Sequence, residues 1–456
     1  MANQKLSRRE FLNLAALTSA GVALAACAPA ATPGAEPAAP AEAETAPTTV
    51  PAAPGERKVE FWGVGSPGHT DAVMKTTEEL RANTGLFIDY VRNASGWPSQ
   101  LEKLNAGIAA GSVPDLAHVK DFNMWDYAWR DTVLPLDDYF AASSIDPNKF
   151  RKSIWQAMHY KDTVYAAPWK GSFVWVQYIN HDLFEAAGLD PAVDVPDTWD
   201  KLVEVGQKLT DESAGHYGHA FYGLGTIEPD FFIFTSFVGQ AGGTVLSEDK
   251  LTLDTPEANE ALQWMYDMLW TWKIALPPDQ MQGVWDVVKS GVVGTWINGV
   301  WFVEEALATA PDLTWSLHPI PCHKTCDNVD TPECIIVPKG AANPDLSWEA
   351  IELLLDPQID LEHALVQGFL PAYTENLDKL GEAATKNQEA IKTYAEVGKN
   401  PDLRPRQWVE GYDEMVSVVM PEIQAVWFDQ KSVKDGLVTA EQLGNEVLTR
   451  VRETGR

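Results

Sequence analysis

Basic residues are scarce in this chain. Its 456 residues hold 34 lysines and arginines against 65 aspartates and glutamates, a formal net charge of −31. Such a balance argues against nucleic acid and anionic lipid as direct ligands, because both are gripped by clustered lysine and arginine. Cysteine is also scarce, at four residues, too few for a disulfide-stapled scaffold. No G-x-S-x-G elbow, H-E-x-x-H helix or P-loop is present. Carboxylates are abundant, so a glycosidase pair stays open, but nothing in the pattern singles out a pair. Past the N-terminal region no apolar run is long enough to span a membrane. No repeat of solenoid length is visible, and the length suits two or more domains.

What is there begins with an address. Ser7-Arg8-Arg9-Glu10-Phe11-Leu12 carries the paired arginines of a twin-arginine export signal. The apolar stretch Leu14 to Ala26 follows, and Leu24-Ala25-Ala26-Cys27 has the form of a lipoprotein cleavage site. Residues 1–27 are therefore read as a lipoprotein signal peptide, with Cys27 lipidated and holding the chain to the outer face of a membrane. The bland alternative is an uncleaved anchor helix. Residues 28–56 are Ala, Pro, Glu and Thr with almost no large apolar side chain. Such a segment cannot offset its ordering entropy and is expected to be a disordered tether.

From Arg57 the pattern is globular. Lys58 to Gly63 reads as a strand. Gly63-Val64-Gly65-Ser66-Pro67-Gly68 matches G-x-G-x-x-G in form. Pro67 falls inside it and bulky Trp62 precedes it, so a dinucleotide loop is not expected. Thr70 or Asp71 should cap the next helix, and Gly85 should stop it. Leu86 to Arg92 reads as a strand, Ser99-Gln100-Leu101-Glu102 as a capping box, and Pro114 to Val119 as a third strand. Strand, helix, strand, helix, strand implies a right-handed parallel sheet. Its ligands should lie at the carboxyl ends of the strands, near Trp62 to Ser66 and Asp121 to Trp125.

Tyr165 to Leu189 then runs strand, Pro168, a turn at Lys170-Gly171-Ser172, a second extended run from Phe173 to Ile179, and a helix that Gly188 ends. This is a joint between two α/β bodies. Tyr165-x-x-Pro168 followed by Tyr178-Ile179-Asn180-His181-Asp182-Leu183-Phe184-x-x-Ala187-Gly188-Leu189 resembles the hinge-crossing segment of the family 1 extracellular solute-binding proteins, which are maltose-binding-protein-like. Pro196-Asp197-Thr198-Trp199-Asp200-Lys201-Leu202, Asn298-Gly299-Val300-Trp301 and Gly368-Phe369-Leu370-Pro371 agree with it, in the expected order. The resemblance implies a two-lobed α/β periplasmic-binding-protein fold, type II-like, with three hinge crossings and a helical C-terminal region. It apportions residues 57–168 and 334–370 to lobe 1, and 169–333 and 371–456 to lobe 2. It further implies a non-enzymatic, monomeric carrier that needs no cofactor or metal. Such a carrier delivers a carbohydrate to the separate permease subunits of an ABC transporter.

The residues supply a chemistry for that. The chain has 18 tryptophans, about three times an ordinary share. An indole can cover the C–H face of a sugar ring while carboxylates and amides take its hydroxyls. Trp62, Trp125, Trp175 and Trp301 stand at strand ends or turns, and Ser66 shares the first of these ends. Asp121, Glu228, Asp230 and Asn298 are the polar candidates, and Phe369 lies in a crossing. For any one tryptophan, core packing competes with this role. Trp301 is set apart because it falls in the segment resembling the family's ligand-stacking position. Glycerol phosphate or a polyamine is the alternative solute, but no basic cluster is legible for a phosphate. A secreted glycoside hydrolase is the rival of another class. Cys322, Cys326 and Cys334 predict one disulfide and one free thiol, with zinc at Cys322-His323-x-x-Cys326 as a weaker option.

Overall fold

The computed structural model describes residues 57–221, 227–247, 250–383 and 388–454, and only the backbone of 227–230, 281–283, 285, 304–305 and 307–308. The signal segment, Cys27 and the tether lie outside the described residues. No described helix is long and apolar enough to cross a membrane.

Alternating burial shapes β1 (Arg57–Gly63), which turns Val59 and Phe61 into the core. β2 (Leu86–Arg92) and β3 (Leu116–Lys120) flank it in parallel. Helix α1 (Pro67–Thr84) links β1 to β2, and α2 (Trp97–Ala110) links β2 to β3. Helix α1 starts before Thr70. Pro67 suits the first helical position, where its missing N–H costs nothing, and Ser66 Oγ accepts from the His69 N–H at 3.3 Å. Helix α2 likewise starts at Trp97-Pro98, ahead of the Ser99 box. Helix α3 (Asp121–Trp129) follows β3 at once.

β4 (Ala167–Phe173) is buried throughout. Lys170 and Gly171, with φ of 62° and 80°, form a bulge within it, so the strand continues past the expected turn. β5 (Val176–Asn180) belongs to another sheet, with β6 (Tyr217–Ala220), β7 (Val293–Asn298) and β8 (Trp315–Pro319) in the order β8-β5-β7-β6. β9 (Asn328–Ile336) then returns and inserts between β3 and β4, antiparallel to both. β10 (Leu403–Pro405) pairs with the start of β9. Cys322 and Cys326, between β8 and β9, form a disulfide, which uses both thiols that zinc would need there. Cys334 is buried and free within β9.

Each sheet has its own core. Phe61, Ile88, Trp169 and Ile335 centre the first. Phe234, Met265, Trp296 and Trp427 centre the second, which the C-terminal helices Tyr412–Trp427 and Val433–Thr454 join through Val419 and Leu448. The chain passes between the sheets after β4 and before β9, and a third joint at 369–377 touches both cores, Phe369 and Leu377 the second and Tyr373 the first.

One buried side chain ties these passes together. Arg151 Nη1 lies 2.7 Å from Asp330 Oδ2, its Nε donates to the Pro371 carbonyl at 2.9 Å, and its Nη2 donates to Ser172 Oγ. The Ser172 hydroxyl donates to Asp330. Ser172 and Leu370 also exchange two backbone bonds of 2.9 Å. A Cβ on Gly171 would overlap the Leu370 carbonyl oxygen. Arg151→Met would leave buried Asp330 without its cation, with only the Ser172 and Ser153 hydroxyls donating to it. Its expected cost is about 3 kcal/mol or more, seen as a lower urea midpoint, and an unchanged midpoint would contradict it.

Candidate functional site

Five aromatic rings meet where β4 passes to β5. Phe173 ends β4 and Trp175 sits in the link. Phe232 comes from helix α4 (Ile227–Gln240), Trp301 from the turn after β7, and Phe369 from the third pass. Phe173 lies 4.9 Å from Trp301 and 6.0 Å from Phe369 between ring centres. Trp175 lies 5.1 Å from Phe232 and 6.0 Å from Trp301. Asn328 fixes Trp175 by its backbone, accepting from its N–H at 3.2 Å and donating to its carbonyl at 2.8 Å. Any Cβ on Gly299 would overlap the Trp301 ring, so glycine there lets the indole lie over the chain. Trp301 is half-buried and the other four are buried.

The first sheet contributes Asp121 and Phe122 from the start of α3. Arg406, one residue past β10, reaches them from the other side. Its guanidinium carbon is 4.6 Å from the centre of the Phe122 ring and 4.4 Å from that of Phe232. Its Nε is 4.0 Å from Asp121 Oδ2, and both side chains are buried. Phe122 belongs to the first core and Phe232 to the second, so the cation joins the two. Trp408 does the same two residues on. It packs against both cores and lies 5.9 Å from Trp125.

Of the expected residues, Trp175, Trp301 and Phe369 come together, and Asp121 reaches them through Arg406 and Phe232. Trp125 is buried and donates Nε1–H to the Ala157 carbonyl at 3.0 Å. Trp62, Ser66 and Asn298 make contacts elsewhere. Trp62 lies under the Lys103 ammonium, 3.5 Å from the ring centre. Ser66 caps α1. Asn298 Oδ1 accepts from the Gly299 N–H at 2.7 Å. The side chains of Glu228 and Asp230 lie outside the described residues. Sequence reasoning missed Phe173, Phe232, Arg406 and Trp408, and covered Phe122 only within the Asp121 to Trp125 strand end. Arg404-Pro405-Arg406-Gln407-Trp408, a basic and aromatic run in an acidic chain, was the available signal.

Beneath the β4 bulge lies a second polar group. Lys170 Nζ donates to the Val64 carbonyl and stands 3.5 Å from Glu333 Oε2. His118 Nδ1 accepts from the Val64 N–H at 3.3 Å, which leaves Nε2–H to donate to the same Glu333 oxygen at 2.9 Å. Burial pushes Glu333 up, but Lys170, His118 and Lys120 outweigh it and hold the carboxyl at about 2. Burial, with Lys170 adding to it, lowers His118 to about 4 and His363 to about 4. A neutral histidine on a carboxylate is also a general-base arrangement. Here His118 has no exposed surface and both ring nitrogens are engaged, so it serves to hold the Val64 loop against β4 and β9.

Residues 66–360 match the family model described as bacterial extracellular solute-binding protein. A putative binding protein of Brucella abortus is 22% identical over 374 residues, 78% of this chain and 88% of that protein. An arabinooligosaccharide-binding protein of Halalkalibacterium halodurans is 28% identical over 153 residues, 32% of this chain and 33% of that one. Among solved structures, the chain is similar to the cyclic alpha-maltosyl-1,6-maltose binding protein of Arthrobacter globiformis. That match has a TM-score of 0.75 and 22% identity over 87% of this chain and 100% of the other. The sugar-binding protein MalE of Xanthomonas citri matches with a TM-score of 0.74 and 20% identity over 87% and 98%. These likenesses show a two-lobed α/β fold.

The buried histidines predict an acid limit. His118 and His363 stay neutral in the fold down to about pH 4, whereas in the unfolded chain they protonate near 6.5. Between those values the unfolded state binds more protons, so stability falls as pH drops. The melting temperature should decline from pH 6.5 to 4, less steeply in His363→Gln, and a flat profile in that window would refute this.

Proposed function

Because the chain belongs to the bacterial extracellular solute-binding protein family, we propose that it captures a carbohydrate between its lobes and hands it to an ABC permease. The observation that carries this is the five-ring cluster at the passes between the sheets, with the Asp121–Arg406 pair beside it. Flat rings take the C–H faces of a sugar, and a carboxylate beside a guanidinium accepts from and donates to neighbouring hydroxyls. A ligand touching both lobes favours their closed arrangement by its differential affinity. Solved relatives of the same fold are named for bound tagatose, cycloalternan and acarbose. The residues proposed to meet the ligand are Trp175, Trp301, Phe369 and Asp121, with Glu228 and Asp230 as further carboxylates.

The family is one of exported proteins. We propose that this one leaves by the twin-arginine route, is held by lipid on Cys27 and stands off on residues 28–56. It would act as a monomer, with the permease and ATPase as separate chains. No covalent chemistry is needed for this task, and the glycoside hydrolase alternative is testable beside it.

The test is calorimetry and thermal shift over a panel of mono- and oligosaccharides. A sugar at a hundred times its Kd should stabilise the fold by about 2.7 kcal/mol, and Trp301→Ala should weaken its binding about tenfold, or by ~1.4 kcal/mol. Release of shortened sugars on incubation would refute the carrier reading in favour of the hydrolase. Cys27→Ser should move the protein from the membrane to the soluble fraction, and retention there would point to an uncleaved helix.

A further inference from the structure

The carboxyl-terminal edge of the first sheet is cationic in a strongly acidic chain. Arg92 ends β2 and Lys120 ends β3, and both are half-buried. β1 runs between them and Lys120 lies two residues further along, so their backbones stand about 12 Å apart. Arg92 Nε donates to the Gly65 carbonyl at 3.0 Å. Lys120 Nζ lies 5.3 Å from the centre of the Trp97 ring and 5.7 Å from that of Phe122. Among the described residues, no carboxylate stands within ion-pair distance of either cation. Phe122 also carries Arg406, whose charge Asp121 offsets. Lys170 nearby stands 3.5 Å from Glu333, the one carboxylate that also acts on Lys120, at longer range, from the facing position of β9. One carboxylate thus faces two lysines, and with Arg92 this edge keeps an excess of positive charge on either side of the loop after β1.

This is not the placement that composition predicts. With 65 acidic residues to draw on, the fold pairs most of its lysines and arginines, yet it surrounds these two with rings and backbone oxygens. A ring satisfies a cation only over its face and leaves N–H donors unspent. Half withdrawn from water, such a group favours an arriving counter-charge. Lys120 borders Phe122, which the Arg406 guanidinium links to the five-ring cluster, so an anion held there would sit on the same ligand that the rings contact.

We propose that the solute is an anionic carbohydrate, whose acidic group is taken by Lys120 and Arg92 while its ring faces lie on the aromatic cluster. The proposal rests on the carbohydrate reading and narrows it to one chemical class. The source of the anion, a uronate carboxylate or a sulfate or phosphate ester, is resolved by the arms of the test.

Calorimetry on the mature protein would use neutral oligosaccharides, each beside its uronate, sulfated and phosphorylated counterpart, at low and high salt. One anionic arm should bind at least tenfold tighter than its neutral parent, and the gap should narrow in high salt. Lys120→Met and Arg92→Met, verified as folded by melting, should each shrink the acidic-to-neutral ratio several-fold, and Lys120→Arg should retain it. Neutral sugars binding as tightly as their acidic counterparts would overturn the proposal and leave the carbohydrate reading intact. Variants that keep the full ratio, or inorganic phosphate competing as well as the acidic sugar, would overturn it too. A wild-type protein that binds no member of the panel would overturn both.

Discussion

Arg151 is the group on which the rest of this molecule depends. Its guanidinium holds Asp330 from one pass and Ser172 from another, and its Nε takes the Pro371 carbonyl of the third. Three chain segments far apart in sequence therefore share one donor set in a region closed to water. A planar fork suits this task better than an ammonium, because each nitrogen addresses a different segment at a fixed angle. The buried charge costs desolvation, which Asp330 and the carbonyl together offset.

Next to the knot, the fold concentrates rings rather than hydrogen bonds. Phe173, Trp175 and Phe369 belong to the very segments that Arg151 ties, so the aromatic cluster inherits their rigidity. Arg406 then joins the two sides through Phe122 and Phe232 instead of through a salt bridge on the surface. Cation–ring contacts keep their strength where water is excluded. The proposed ligand site at this junction would couple recognition to lobe geometry, since its rings come from both sides of the joint.

The polar group under the β4 bulge serves the same region by another route. Lys170 adopts a positive φ to place its ammonium against Glu333 and the Val64 carbonyl. That ties the loop after β1, where ligands of parallel sheets bind, to two of the strands that lead between the lobes. The histidines around it are held neutral by burial, so the arrangement is stable near neutral pH and weakens with acid.

Much of this was legible beforehand. Alternating apolar residues marked β1, and Gly85 does end α1 in the left-handed conformation. Gly188 adopts the positive φ expected of a helix stop. The aromatic reading of Trp175, Trp301 and Phe369 came from their places in turns and crossings. The Lys170-Gly171 turn was misplaced, because a bulge and a chain reversal use the same residues and differ only in what the partner strand β9 does. Arg406 and Phe232 were missed because their value lies in a contact across roughly 170 positions of sequence, which no local period reports. From pattern and composition the sequence alone determined the strand–helix alternation of the first sheet and the acidic character of the chain, and its resemblance to the solute-binding family implied two lobes with crossings between them. The tertiary structure alone decided which rings meet, which cations lack a carboxylate and which arginine ties the passes. Those depend on distances between strands that only the closed packing of two cores can set.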